Sequence, residues 1–264
     1  MLGAIIGDII GSPYEMGAEK TKDFPLFLPG CRPTDDGIMT IAVGCACAEA
    51  NWRKEEEFKR TLVEKMRLLG RLYPDAGYGK LFYQWLMDDE AGPYGAYTNG
   101  SAMRVSPVAW VARSLAEAEC LAQWSAEVTH SHPDGIKGAQ AVAAAVYLAR
   151  TGTDKDTIRQ YIQDKYYDLD FTLDAIRPGY RHTLLCEDSV PQAIVCFLEA
   201  EDYEDAVRNA ISLGGDGDTQ AAIAGAIAEV YFGITDELVA QAMEHMDETL
   251  LEYYEECVSV LEGM

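Results

Sequence analysis

Basic residues are scarce in this 264-residue chain, where 21 lysines and arginines stand against 44 aspartates and glutamates. The net charge of -23 repels nucleic acids and anionic membranes, so the surface as a whole is not expected to bind either. No apolar run is long enough to span a membrane. The apolar amino-terminal stretch lacks both a basic region and a convincing cleavage site, so it does not resemble a secretory signal. We therefore expect a cytoplasmic protein.

Paired cysteine motifs are also lacking. The seven cysteines are odd in number and scattered, and the nearest pair, Cys45 and Cys47, has only one residue between them. This spacing is neither that of a C-x-x-C redox motif nor that of a zinc site. The pattern predicts reduced, mostly buried thiols.

Segments with the alternating pattern of β-strands are sparse, whereas helical periodicity is frequent. Repeats, low-complexity linkers and shifts in composition that would mark a second domain are missing. We predict an all-α fold, formed by a single domain over residues 1–264 and built as an orthogonal multi-helix bundle. The clearest predicted helices cover residues 52–73, 138–150, 190–200, 219–232 and 236–261.

Two acidic motifs each open a predicted helix. The first is Thr34-Asp35-Asp36, and the second is Asp216-Gly217-Asp218-Thr219, which follows two glycines. Either motif could be an ordinary helix start, because threonine caps helices and carboxylates are favoured in the first turn. Together, however, the motifs offer only oxygen ligands. Such a set favours magnesium, manganese or calcium over zinc, and carboxylates so close together would repel one another unless cations lay between them.

Small residues recur on two of the apolar segments. Gly3, Gly7 and Gly11 are spaced every four residues, and the segment 221–226 offers a similar smooth face. Such faces allow helix backbones to approach closely. Glu15, just after the first of these segments, is by itself an unremarkable surface acid.

Six blocks, in order along residues 7–232, carry a resemblance to a known family. They are GDIIGSPYE, TDDG, GAYTNGSAMRV, THSHPDGIKGAQAV, SVPQAIVCF and GGDGDTQAAIAGAIAEVYFG. The chain resembles the ADP-ribosylglycohydrolase family, and the last block is the most diagnostic. The resemblance implies a hydrolase that cleaves the bond between ADP-ribose and an acceptor on a protein or small molecule, releasing ADP-ribose.

The resemblance also implies a set of site residues. Two divalent cations, Mg2+ or Mn2+, would be bound by Thr34, Asp35, Asp36, Asp216, Asp218 and Thr219. Catalysis would fall to Glu15, Asp35, Asp216 and Asp218. The substrate would contact Asp35, Gly95, Ala96, Tyr97, Thr98, Asn99, Gly100, His130 and Leu184, with the glycine-rich loop on the pyrophosphate and Leu184 near the adenosine.

Two positions depart from the family pattern. The family commonly has threonine or serine where this chain has Gly37, and often where it has Gly217. Neither lost hydroxyl belongs to the six implied ligands, but both would affect the hydrogen bonds around them.

Two alternatives stay open at the level of sequence: an ADP-ribose-binding module with impaired turnover, and a di-metal phosphatase. The blocks GSPYE, GAYTNG and SVPQAIVCF resemble the branch that cleaves O-linked ADP-ribose, on serine or O-acetyl acceptors. The arginine-directed branch uses the same metal frame, so the acceptor is not decided here.

Overall fold

A computed structural model of the chain describes residues 1–17 and 19–261, and the fold over these residues is all-α. No β-strand occurs within these two ranges. The helices are α1 (Leu2–Gly11), α2 (Asp35–Glu49), α3 (Glu55–Leu72), α4 (Lys80–Met87), α5 (Gly100–Met103), α6 (Val108–Val111), α7 (Leu115–Glu127), α8 (Pro133–Arg150), α9 (Lys155–Lys165), α10 (Leu173–Ile176), α11 (Cys186–Leu198), α12 (Tyr203–Ser212), α13 (Gly217–Phe232), α14 (Asp236–Met243) and α15 (Glu248–Leu261). The predicted all-α multi-helix bundle is confirmed.

Helix α13 lies at the centre of the bundle. It packs against α1, α2, α5, α8, α11 and α12, and every residue from Gly217 to Ala228 is buried. A helix whose whole circumference is apolar or small is typical of a core position. Its acidic first turn is therefore placed deep in the protein.

The contact between α1 and α13 is made by their backbones. A Cβ atom on Gly7 would collide with the carbonyl oxygen of Ala221, and one on Gly3 would collide with that of Gly225. At the end of α1, a Cβ atom on Gly11 would lie 2.5 Å from the Cα atom of Asp218. The glycine spacing seen in the sequence thus allows α1 to lie directly on α13.

One predicted helix was wrong in its extent. The segment predicted as a single helix over residues 236–261 is divided into α14 and α15. The carboxylate of Asp247 accepts a hydrogen bond of 2.8 Å from the backbone N–H of Leu250 and so starts a new helix. His245, in the break, stacks on Phe27 with 5.4 Å between the ring centroids. Helical periodicity continues through the break and cannot reveal it.

The side chains of the core agree with the prediction for the thiols. All seven cysteines are free, and six of them are buried. Within the described ranges, no helix combines the length and apolarity needed to cross a membrane.

The packing of α1 on α13 can be tested with Gly7→Ala. We expect this change to lower the free energy of unfolding by about 1–3 kcal/mol, because the added methyl group meets backbone atoms that cannot move independently. Gly92→Ala is the matched control, since its Cβ atom would have no neighbour within 4 Å. Urea unfolding measures both. Equal stability of the two variants would contradict the close approach.

Candidate active site

The first turns of α2 and α13 bring the two acidic motifs together. Thr34 and Asp216 occupy the positions just before these helices, yet neither side chain bonds to its helix N–H groups. The Asp216 carboxylate instead accepts a hydrogen bond of 2.6 Å from the side-chain amide of Asn99. The reading of these motifs as ordinary capped helix starts is therefore not supported by their hydrogen bonds.

Asp8, which the sequence analysis did not select, joins this cluster from the middle of α1. It is completely buried, and one of its carboxylate oxygens accepts from the backbone N–H groups of Thr34 at 2.8 Å and Gly37 at 3.0 Å. The hydroxyl of Thr34 donates to the other oxygen. The sequence did contain a signal for Asp8, because it is the one charged residue of the otherwise apolar helix α1. A carboxylate in such a helix is buried, and a buried carboxylate requires hydrogen-bond donors around it.

The two glycines that depart from the family pattern have spatial reasons here. A Cβ atom on Gly37 would lie 2.5 Å from the Oδ2 atom of Asp8. A Cβ atom on Gly217 would lie 3.0 Å from the carbonyl oxygen of Tyr14, on the segment that carries Glu15. Both positions therefore make room for neighbouring parts of the cluster.

The cluster offers a set of ligand atoms suited to a hard cation. Carboxylate oxygens of Asp8, Asp36 and Asp218 all lie within 4.8 Å of one another. The Oδ1 atom of Asp36 is buried and has no hydrogen-bond partner among residues 1–17 and 19–261. A buried, unpaired carboxylate oxygen is costly, and a bound cation is a common reason for one. The residues present thus fit a divalent metal that prefers oxygen.

Burial and mutual repulsion make these carboxylates hard to ionise. Burial raises the pKa of Asp8 to about 7, although the hydrogen bonds from Thr34 and Gly37 act in the opposite direction and lower it. Burial, followed by repulsion from Asp8 and Asp216, raises the pKa of Asp35 to about 8. The same causes hold the pKa of Asp36 and of Asp218 well above the usual range. Without cations the cluster therefore binds protons near neutral pH, whereas cations would favour the ionised carboxylates.

The acids open into a cleft of about 490 Å³. All the site residues predicted from the sequence line this cleft except Thr34 and Gly95. Glu15 is half-buried at its edge, and burial and the nearby Asp216 raise the pKa of its carboxyl group. The two acidic motifs, which are distant in the sequence, thus meet in one cleft, as a shared metal site would require.

The glycine-rich loop forms one wall of the cleft. Gly95 has a φ of 68°, a backbone conformation that favours glycine. The backbone N–H of Asn99 donates to the carbonyl oxygen of Leu184 at 2.8 Å, so the loop is joined to the segment before α11. Tyr97 and Leu184 are about half exposed at the rim, whereas His130 is buried behind the loop.

Several residues that line the cleft were not identified from the sequence. The segment around the start of α4 contributes Gly77, Gly79, Lys80, Leu81 and Phe82, and other positions contribute Tyr94, Met103, Arg104 and His182. His182 lies near enough to Glu15 and Asp216 to favour their ionised forms. Met103 and Arg104 fall within the GAYTNGSAMRV block, whereas the other positions belong to none of the six blocks and are revealed by the tertiary packing.

Comparison with known sequences identifies the family. The profile of the ADP-ribosylglycohydrolase family matches residues 1–261. The chain belongs to this family.

Individual relatives show how similar the chain is to named proteins. The chain is 27% identical to human ADP-ribosylhydrolase ARH3, in an alignment covering 94% of this chain and 89% of the relative. It is 23% identical to ADP-ribosylarginine hydrolase Tri1 of Pseudomonas putida (strain GB-1), covering 89% and 70%. A solved ADP-ribosylglycohydrolase-related protein complex has the same fold, with a TM-score of 0.64 and 19% identity over 99% of this chain and 96% of that one.

Family membership makes this chain a glycohydrolase, and it confirms the resemblance drawn from the six sequence blocks. The buried aspartate cluster described above can hold a metal ion. For an ADP-ribosylglycohydrolase, the cleft beside this cluster is therefore the candidate active site.

The raised pKa values lead to a prediction for the metal-free enzyme. Folded-state values of about 7 for Asp8 and 8 for Asp35 exceed the ordinary aspartate value. The protonated groups therefore stabilise the fold at low pH, and this contribution is lost as the pH rises through 7 to 8. We expect Tm after chelation to fall between pH 5 and pH 8. Magnesium should then raise Tm more at pH 8, by about 5 °C or more.

Differential scanning calorimetry with and without magnesium measures this difference. Potassium chloride at matched ionic strength is the control for general screening of the acidic surface. Glu15, Asp36, Asp216 and Asp218 also have raised pKa values, and they act in the same direction. An equal effect of magnesium at both pH values would contradict binding to these carboxylates.

Proposed function

We propose that this chain hydrolyses the glycosidic bond between ADP-ribose and an acceptor, releasing ADP-ribose. The observation that carries the proposal is the meeting of two acidic motifs, about 180 positions apart, with Glu15 and the glycine-rich loop in one cleft. The cleft has carboxylates at one end and the glycine-rich loop along its wall. This arrangement suits a substrate that contains both a ribose and a pyrophosphate.

In this proposal, two divalent cations, Mg2+ or Mn2+, are held by Thr34, Asp35, Asp36, Asp216, Asp218 and Thr219. When bound, they supply the positive charge that a dianionic pyrophosphate and its ribose hydroxyls require in so acidic a protein. The unpaired oxygen of Asp36 and the all-oxygen set support this choice of metals.

The substrate is proposed to extend from the acids along the glycine-rich loop. Residues 95–100 would contact the pyrophosphate through the hydroxyl of Thr98 and through backbone N–H groups other than those of Ala96 and Asn99, which bond to Thr129 and Leu184. Tyr97 and Leu184, exposed at the rim, would contact the adenosine. His130 would support the loop from behind.

The division of catalytic roles follows from burial. Glu15 is half-buried with a raised pKa, so it can carry a proton and donate it to the leaving oxygen of the acceptor. Asp35 is less buried than Asp36, Asp216 and Asp218, and we propose that it receives the proton of the attacking water. Asp216 and Asp218 then hold the cations and the distal ribose in position.

We propose an O-linked acceptor, such as serine or an O-acetyl group, because an acid placed like Glu15 assists the departure of an oxygen. Arginine is the second candidate, since the relative from Pseudomonas putida is named as an ADP-ribosylarginine hydrolase. A panel of ADP-ribosylated serine, O-acetyl and arginine substrates distinguishes them.

We also propose that the chain acts as one domain in the cytoplasm. Buried residues from Met1 to Leu261 form one continuous core cluster, which supports a single domain. The seven free thiols support a location in the cytoplasm, where thiols are kept reduced.

Removal of metal tests the proposed reaction. We expect chelation to abolish the release of ADP-ribose, and magnesium or manganese to restore it better than zinc. Chromatography of the products, with an assay for inorganic phosphate, distinguishes the glycohydrolase from a phosphatase. Full activity after dialysis against excess chelator would disprove the di-metal proposal, and release of phosphate would disprove the glycohydrolase.

The change Glu15→Gln tests the acid. It keeps the shape of the side chain but removes the proton that it donates, so we expect kcat on O-linked substrates to fall about 10²-fold or more. Affinity for ADP-ribose, measured by calorimetry, should change little. Glu252→Gln, at an exposed position of α15, is the matched control. Unchanged turnover of Glu15→Gln on every O-linked substrate would exclude this role.

A further inference from the structure

Arg104 is a fully buried cation behind the glycine-rich loop. Its side chain is 1% exposed and forms no ion pair within residues 1–17 and 19–261. It donates hydrogen bonds of 2.7 Å to the carbonyl oxygen of Gly100 and 2.8 Å to the hydroxyl of Thr129. A buried cation that forms no ion pair is unfavourable unless hydrogen bonds compensate for its lost hydration, and Gly100 and Thr129 provide these bonds.

The bond to Thr129 begins a chain of polar contacts that ends in the cleft. The Oγ1 atom of Thr129 lies 2.8 Å from the Nδ1 atom of His130. On the other side of the ring, Nε2 of His130 lies 3.1 Å from the Oγ1 atom of Thr98. Thr98 is partly buried and lines the cleft.

The direction of each hydrogen bond follows from the guanidinium group. Because arginine can only donate, the Thr129 hydroxyl must accept from Arg104, and its own single hydrogen remains for Nδ1 of His130. The reverse arrangement, with Nδ1 donating to Thr129, would leave that hydroxyl hydrogen without an acceptor at a completely buried position. The neutral ring then carries its hydrogen on Nε2 and donates it to Thr98.

We propose that Arg104, Thr129 and His130 are positioning residues that orient the Thr98 hydroxyl as a hydrogen-bond donor to a phosphate oxygen of the ligand. Thr98 Oγ1 accepts from His130 and has no other partner among the described residues, so its hydrogen is available to the cleft. An outward-pointing donor suits an anionic oxygen, whereas an outward-pointing lone pair would repel one.

The surroundings of His130 keep the ring neutral and fixed. Burial, together with repulsion by Arg104, holds its pKa well below the usual range. A Cβ atom on Gly100 would lie 3.0 Å from Nε2, so the ring rests directly against the loop. Arg104 also holds the carbonyl of Gly100. The same cation thus fixes both the loop and the ring that orients Thr98.

The tautomer of His130 can be observed without any ligand. The chain has only four histidines, so nitrogen-15 NMR of their rings can be assigned with a His130→Gln variant. We expect the hydrogen on Nε2. In Thr129→Val, the Nδ1 resonance should move to that of an acceptor without a hydrogen bond, and Thr129→Ser should restore it. A hydrogen on Nδ1 in the unmodified protein, or an unchanged resonance in Thr129→Val, would overturn the proposal.

Binding of ADP-ribose, which rests on the proposed function, tests the consequence. We expect Thr98→Val to weaken binding on the order of tenfold, because it loses a hydrogen bond to a charged group. Thr129→Val should weaken it to a similar extent, and Thr129→Ser should restore it. In the Thr98→Val background, Thr129→Val should have little further effect, because the two residues act in one chain. Adenosine, which lacks phosphate, serves as the control ligand and should be little affected.

The two measurements separate the possible failures. If the unmodified enzyme does not bind ADP-ribose, the proposed function fails, while NMR still decides the hydrogen-bond direction. Independent, additive losses in the double variant would overturn the positioning role even if ADP-ribose binds. Thr98→Val changes only a partly buried side chain, so this test remains if Thr129→Val does not fold.

Discussion

Direct contact between the backbones of α1 and α13 is the constraint on which the rest of the site depends. Helix α1 carries Asp8 and leads into the segment with Glu15, while α13 begins with Asp216 and Asp218. Because the glycines of α1 lie against the carbonyl groups of α13, carboxylate oxygens of Asp8 and Asp218 are brought to within 4.8 Å of each other. Larger side chains at the contact would separate the helices and, with them, the carboxylates.

This closeness creates an electrostatic problem that the protein does not solve with its own cations. The acids are buried together, and the buried Arg104 lies behind the glycine-rich loop, where it bonds to Gly100 and Thr129. Protons or external cations must therefore offset the charge of the carboxylates. Basic residues do line the cleft, but within the described residues none of them forms an ion pair with the buried aspartates, whose carboxylates can therefore hold a metal ion.

The sequence was sufficient to predict the helical fold and the neighbouring acids Asp35, Asp36, Asp216 and Asp218, because local motifs mark them. Asp8 was missed because its partners, Thr34 and Gly37, lie on another helix. His182 and the residues at the start of α4 lie outside the six sequence blocks and enter the cleft through tertiary packing. The predicted helix over residues 236–261 was too long because one side-chain hydrogen bond from Asp247 outweighs a continuous periodicity.

The pairing of α1 with α13 also bears on how the protein is made. Gly11 and Asp218 touch, yet they are about 200 positions apart in the chain. During synthesis, α1 emerges from the ribosome long before α13. The apolar surface of α1 that packs on α13 therefore stays uncovered until α13 has been made. Such distant contacts close late and slow folding. The acidic cluster, which needs both Asp8 of α1 and Asp218 of α13, can therefore form only after α13 has been synthesised.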